Sequence, residues 1–159
     1  MSTIIKVFKK HIKGTGKKKQ IKKLTIYVCN FSNVVMNEFK FSTNRVHLST
    51  KSLKHMYDKR VAQEFDFILN NLPKIIKKPD KVYKNIKGKR GDYCFLKKFA
   101  KDTYFCIIEN SDDVNPNDGK IGMNYVVSVY KLSEDKEKRK RYLSGYKLLW
   151  SWKGDKPSS

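Results

Sequence analysis

Between Leu53 and Leu72 the apolar positions Leu53, Met56, Tyr57, Val61, Phe65, Ile68, Leu69 and Leu72 recur at steps of three and four. At about 100° per residue this spacing gathers them into one stripe, so residues 46–72 predict a main helix that must pack on something. Ser49 or Thr50 supplies an N-cap oxygen, with no Glu or Gln placed to complete a capping box. Pro73 predicts the end of the helix, because the residue before a proline is pushed out of the α region. A kink or break is expected near Asp58 to Val61.

Elsewhere the period shortens to two. Residues 24–29 (LTIYVC) are β-branched and aromatic, and residues 34–41 (VVMNEFKF) alternate after an Asn-Phe-Ser-Asn break, so both are read as strands. Beyond the main helix come a short turn of helix, a loop, a strand at 81–86 and a basic hairpin turn at 87–91. Three aromatic, β-branched strands follow at 93–99, 103–109 and 124–132. Ser133 is placed to cap a short charged helix that stops at Gly145, and the segment after it can add a last strand. The fold class is therefore α+β: an antiparallel four- to five-stranded sheet packed against one main helix, with an N-terminal basic arm or hairpin. The expected organisation is an arm at 1–23, one domain at 24–152 and a disordered tail at 153–159.

Charge changes the picture most. Thirty-six Lys and Arg against 15 Asp and Glu give a net charge of +21. Self-repulsion of that size is commonly tolerated where a polyanion is the partner, and nucleic acid is the first candidate. A compositional drift toward Lys, Asn and Ile usually raises Glu as well, and acidic residues are scarce here. Lys17, Lys18 and Lys19 of the arm are candidate nucleic-acid contacts, or else a solubilising tail. The neighbouring GTGK string has the wrong glycine spacing for a phosphate-binding loop. The three cysteines lie singly in apolar runs, as reduced core thiols do. No run of about eighteen apolar residues exists, and the N-terminus is too basic for a signal peptide, so a soluble, cytoplasmic protein with no membrane contact is expected. The acidic loop 110–122 mimics the first ligands of a calcium site, but Asp118 stands where Gly is required and Asn124 where the bidentate Glu belongs. No metal site and no cofactor are expected.

No Ser-His-Asp spacing, HExxH or dinucleotide fingerprint is present. The inventory instead suits RNA cleavage in which the substrate's own 2′-OH attacks, which needs a base, cations for the charged phosphorane and an acid for the leaving 5′ oxygen. The string VHLSTKSLKHMYDKR, then LPKIIKKPDKVYKN, an aromatic strand with Lys97, a strand ending NYVVSVYK and finally LLW resemble nuclease domains of the phage and toxin Barnase, EndoU, colicin and RelE-like superfamily. The resemblance spans roughly residues 46–150. It implies a helix on a four-stranded antiparallel sheet and metal-independent endoribonuclease activity leaving a 2′,3′-cyclic phosphate. By position it implies roles for Lys54, His55, Arg60, Lys97 and Ser128. The implied partners are RNA, tRNA included, and, for a toxin, an acidic inhibitor protein. Oligomeric state stays open.

The residues themselves leave alternatives. On an ideal helix His55 falls roughly 160° from the centre of the apolar stripe and Lys54 within about 60° of it. His55 is thus a solvent-face histidine or a cleft residue, and His47, just before the cap, is its rival imidazole. Lys97 and Lys98 face opposite sides of a strand. With Val127 and Val129 inward, Ser128 and Tyr130 share the other face, as a phosphate or base-stacking site or as plain surface. Arg90 is a candidate phosphate contact in the KGKRG turn. The rival function is a non-catalytic basic RNA- or DNA-binding module, and a third is an interaction protein whose charge serves a partner.

Overall fold

The structure, a computed structural model, describes residues 2–86, 91–111 and 123–152. Arg90, residues 112–122 of the calcium-loop mimic and the 153–159 tail lie outside the described residues. The elements in order are α1 (Thr3–His11), β1 (Thr25–Asn30), α2 (Asn33–Phe39), β2 (Arg45–Ser49), α3 (Thr50–Lys59), α4 (Ala62–Lys77), β3 (Lys81–Asn85), β4 (Tyr93–Phe99), β5 (Asp102–Ser111), β6 (Met123–Lys131), α5 (Lys136–Leu143) and β7 (Tyr146–Ser151). One seven-stranded sheet runs β1-β2-β6-β5-β4-β3-β7. Its neighbours are antiparallel except for β2 and β6, which are parallel.

The fold is α+β, with more parts than the single helix and four or five strands expected. The main helix is two. Ser49 caps α3 through Ser52 N, and the chain then extends at Arg60 and Val61 before α4 starts, where the break was expected. Pro73 lies inside α4 and does not end it. An interior proline costs about 3 kcal/mol. Ile75 and Ile76 beyond it are fully buried, at about 1.5–3 kcal/mol each, so their burial wins. Residues 34–41 are not a strand: Ser32 Oγ accepts from Val35 N, and Lys40 ends α2 in the left-handed region at φ 52°. The expected arm begins as a helix, because Ile4, Phe8 and Ile12 repeat every four residues and are all buried. Phe8 packs on Tyr57 and Phe65.

Two layers cover the sheet. Ile4, Leu53, Met56, Phe65 and Ile68 of the helices bury one face, which carries Val46, Leu48, Ile108, Val126 and Val129. The other face carries Tyr83, Cys94, Leu96, Phe105 and Leu132, against which Tyr142 and Leu143 of α5 pack. β2 pairs with β6 only from Asn124 to Val126, so β6 runs on past its neighbour. Side chains replace the missing strand: Val129 N donates to Met56 Sδ at 3.2 Å, Arg60 Nε to Val129 O at 3.1 Å and Lys131 N to Glu64 Oε1 at 3.3 Å. Backbone groups left unpaired at that edge would otherwise invite another chain.

Gly91 sits at φ 106°, and a Cβ there would collide with Ile107 Cγ2. Both the backbone and the space require glycine. Gly91→Ala is expected to cost about 2 kcal/mol or more, read as a Tm lower by roughly 4–8 °C. A Tm equal to that of the parent would refute it.

Candidate nucleic-acid interface

The lysine-rich segment after α1 is tied down along one side of α3. Tyr57 OH accepts from Gly14 N at 2.9 Å, and Lys54 Nζ donates to Gly16 O at 2.7 Å. Asp58 Oδ2 accepts from Lys18 N at 3.0 Å, which holds Lys18 at φ 61°. Thr50 Oγ1 accepts from Leu24 N at 2.9 Å and donates to Lys22 O at 2.8 Å. Asp58 also pairs with Lys54 at 2.6 Å. Burial raises the pKa of Asp58, but hydrogen bonds from Lys54 and the Lys18 backbone, with the charges of Lys54 and His55, more than reverse it and hold the carboxyl below its ordinary value. The basic segment is therefore a strap laid over α3.

Strap, α3 and the free end of β6 enclose a cleft of about 870 Å³, lined among others by Lys18, Lys19, Lys23, Ser52, His55 and Ser128. The structure thus gathers five residues expected from the sequence: Lys18, Lys19, Lys54, His55 and Ser128. His55 is exposed on the cleft side of α3. Lys54 is buried, with its ammonium between Gly16 O and Asp58, so it fixes the strap. Arg60 stands behind Ser128: Nη2 donates to Ser128 Oγ at 3.0 Å, Nε is 3.5 Å from Glu64, and the guanidinium lies over the Tyr130 ring at 5.5 Å. That leaves the Ser128 hydroxyl proton free to donate.

Three expected residues fall elsewhere. Lys17 lines a neighbouring groove with Phe8 and Lys13. Lys97 faces Asp80 at 3.5 Å, two strands from β6, about 10 Å away by strand spacing. Tyr130 is not on an open face: Phe105 and Tyr142 enclose it, and burial pushes its phenol far above the ordinary range.

His47 occupies a second setting. Tyr27, His47, Tyr125 and Glu109 are successive cross-strand partners on β1, β2, β6 and β5. Directly paired residues share a face, so they form a row opposite the main helices. The His47 ring lies 5.9 Å from Tyr27 and 6.2 Å from Tyr125, and its Nδ1 is buried without a partner among the described residues. Burial, then the charge of Arg45, lowers its pKa, which favours the neutral imidazole. Ser49, two residues on, turns the same side of β2 into the cleft.

Sequence reasoning passed over Ser52, Lys23 and the row of Tyr27, Tyr125 and Glu109. Helical spacing puts Ser52 one turn before His55, which is a usable signal; the row needed the strand register. Among the described residues no group of three His, Cys, Asp or Glu converges on an ion-sized site, and no helix is long and apolar enough to cross a membrane. What does converge is imidazole, hydroxyl and ammonium, a set able to bind phosphate and move a proton.

Residues 14–139 match the family described as PBECR3, phage-Barnase-EndoU-ColicinE5/D-RelE like nuclease3. No curated protein and no solved structure matches the chain.

Proposed function

The chain belongs to this nuclease family, and from that premise we propose that it is a metal-independent endoribonuclease whose active cleft lies between the strap and α3. The observation that carries the reading is the convergence of His55, Ser128 and the strap lysines on one cleft. A phosphodiester laid there meets Lys18, Lys19 and Lys23 as cations for the charge that develops on the phosphorane. His55 takes the proton of the 2′-OH, and a strap ammonium gives one to the leaving 5′ oxygen. Ser128, oriented by Arg60, donates to a non-bridging oxygen. The 2′-oxygen attacks phosphorus, the bond to the 5′ oxygen breaks, and a 2′,3′-cyclic phosphate remains. His47, whose neutral form burial favours, is the alternative base. Lys97 and Tyr130 have no part in this arrangement, and tRNA and an acidic inhibitor are the partners to try first.

The test is incubation of the full chain with total RNA and labelled tRNA in excess EDTA, with analysis of product ends. Discrete fragments ending in cyclic phosphate are expected. RNA that stays intact yet shifts on a gel in a salt-dependent way would overturn the enzyme reading and leave a binding module.

A further inference from the structure

We infer that the row formed by Tyr27, His47 and Tyr125 is a stacking platform for unpaired nucleobases, so that the substrate is single-stranded at this point. The inference rests on the nucleic-acid reading above and adds the form of nucleic acid taken. α5 packs farther along the same face, on Phe105 and Tyr130, and Tyr27 is left 44% exposed, among the largest apolar exposures in the described residues. A tyrosine on a polar protein's surface is ordinary, but this one has company. Its ring meets His47 edge-on, and the exposed Arg45 guanidinium lies 5.9 Å from its centroid. Tyr27 OH donates to Asn30 and Tyr125 OH to Met123 Sδ, so both rings are held and little side-chain freedom is lost when a base settles on them.

Charge selects the occupant. The row lies in a molecule of net charge +21, beside Arg45 and continuous through Ser49 with the lysine-lined cleft. A strand whose phosphates follow the strap can lay its bases on the row. Every base has a π face, and stacking on an aromatic side chain is strong enough to matter without reading sequence. In a duplex those faces are covered by neighbouring pairs, so paired RNA could use only the lysines. Tyr27 and Tyr125 stand two strands apart, about 10 Å. Successive stacked nucleotides rise only about 3.4 Å, so neighbouring bases that settle on the two rings are splayed apart.

The experiment uses the full chain and a short 2′-O-methyl oligoribonucleotide, which lacks the attacking hydroxyl, so binding is read whether or not the protein cleaves. Single strand should bind more tightly than its duplex. Tyr27→Leu should weaken the single strand by roughly tenfold and leave duplex binding and the salt slope alone, while Tyr27→Phe, which keeps the ring, should restore it. Replacing single nucleotides by abasic ones should find a position whose loss costs the parent protein but not Tyr27→Leu. Equal affinity for strand and duplex, or full additivity of Tyr27→Leu with every abasic change, would overturn the platform. Cleavage in EDTA is read separately, so a platform without cleavage refutes only the enzyme, and cleavage without a platform refutes only this inference.

Discussion

Replacing His55 with alanine is expected to lower RNA cleavage by about 10²- to 10⁴-fold while the Tm stays at that of the parent. The first half follows from position: among the described residues lining the cleft, His55 is the only imidazole. A loss of that size is about 2.7–5.5 kcal/mol of transition-state stabilisation. The second half follows from exposure. His55 is exposed in the cleft, and its truncation removes no core contact, so stability should move by no more than about 0.5 kcal/mol. A rate loss accompanied by a large fall in Tm would be unfolding, and would not support the role. His47→Ala decides the rival. If that variant loses cleavage and His55→Ala keeps it, the proton is moved on the sheet row. Burial and Arg45 lower the pKa of His47, and a base must be neutral to act. The rate would then hold through neutrality and fall only as pH drops through that lowered value, below the ordinary imidazole range.

Local signals in this sequence translated well wherever one element decides its own shape. β4 lies where alternation placed it, β3, β5 and β6 within two residues, the Ser49 cap follows from its side-chain oxygen, and the break before α4 falls in the expected stretch. Two local rules lost to burial or capping. Pro73 was outweighed by Ile75 and Ile76, and the alternation of 34–41 was too short to stand against a Ser32 cap that commits the next turn to helix. What stayed hidden depends on partners far apart in the chain. The strap is held by bonds between residues about forty positions apart, from Gly14 to Tyr57 and from Lys18 to Asp58. The cover of the β6 edge joins Met56, Arg60 and Glu64 to Val129 and Lys131 across a longer span. His55 could be named from the helix, but its neighbours Lys18, Lys23 and Ser128 could not be brought to it without that long-range closure. The parallel pairing of β2 with β6, which puts Tyr125 beside His47, has no local signature at all.

Removing the Asp58 carboxylate should cost about 3 kcal/mol, a Tm lower by roughly 6–12 °C, and should release the strap. Lys54 and Asp58 are 7% and 14% exposed at their side chains, so Asp58→Ala leaves a shielded ammonium with Gly16 O but no carboxylate, and the Lys18 N–H loses its acceptor. Amide exchange at residues 14–18 should quicken, and cleavage should fall although no lysine of the cleft has been removed. The double variant Lys54→Met, Asp58→Leu separates the two effects. An apolar pair of similar size can recover stability, but it cannot accept from Lys18 N or donate to Gly16 O, so the Tm should return and the loop should stay loose. The pH dependence has a definite sign. The folded-state pKa of Asp58 lies below its ordinary value, so its stabilisation is complete above the unfolded carboxylate value of about 3.9 and is lost as pH falls through the lowered folded value. Asp58→Ala should therefore lose less stability than the parent on acidification through that window. A variant with the parent's Tm, exchange pattern and acid limb would overturn this role and leave the bonds of Gly14 to Tyr57 and of Leu24 to Thr50 as what keeps that wall of the cleft in place.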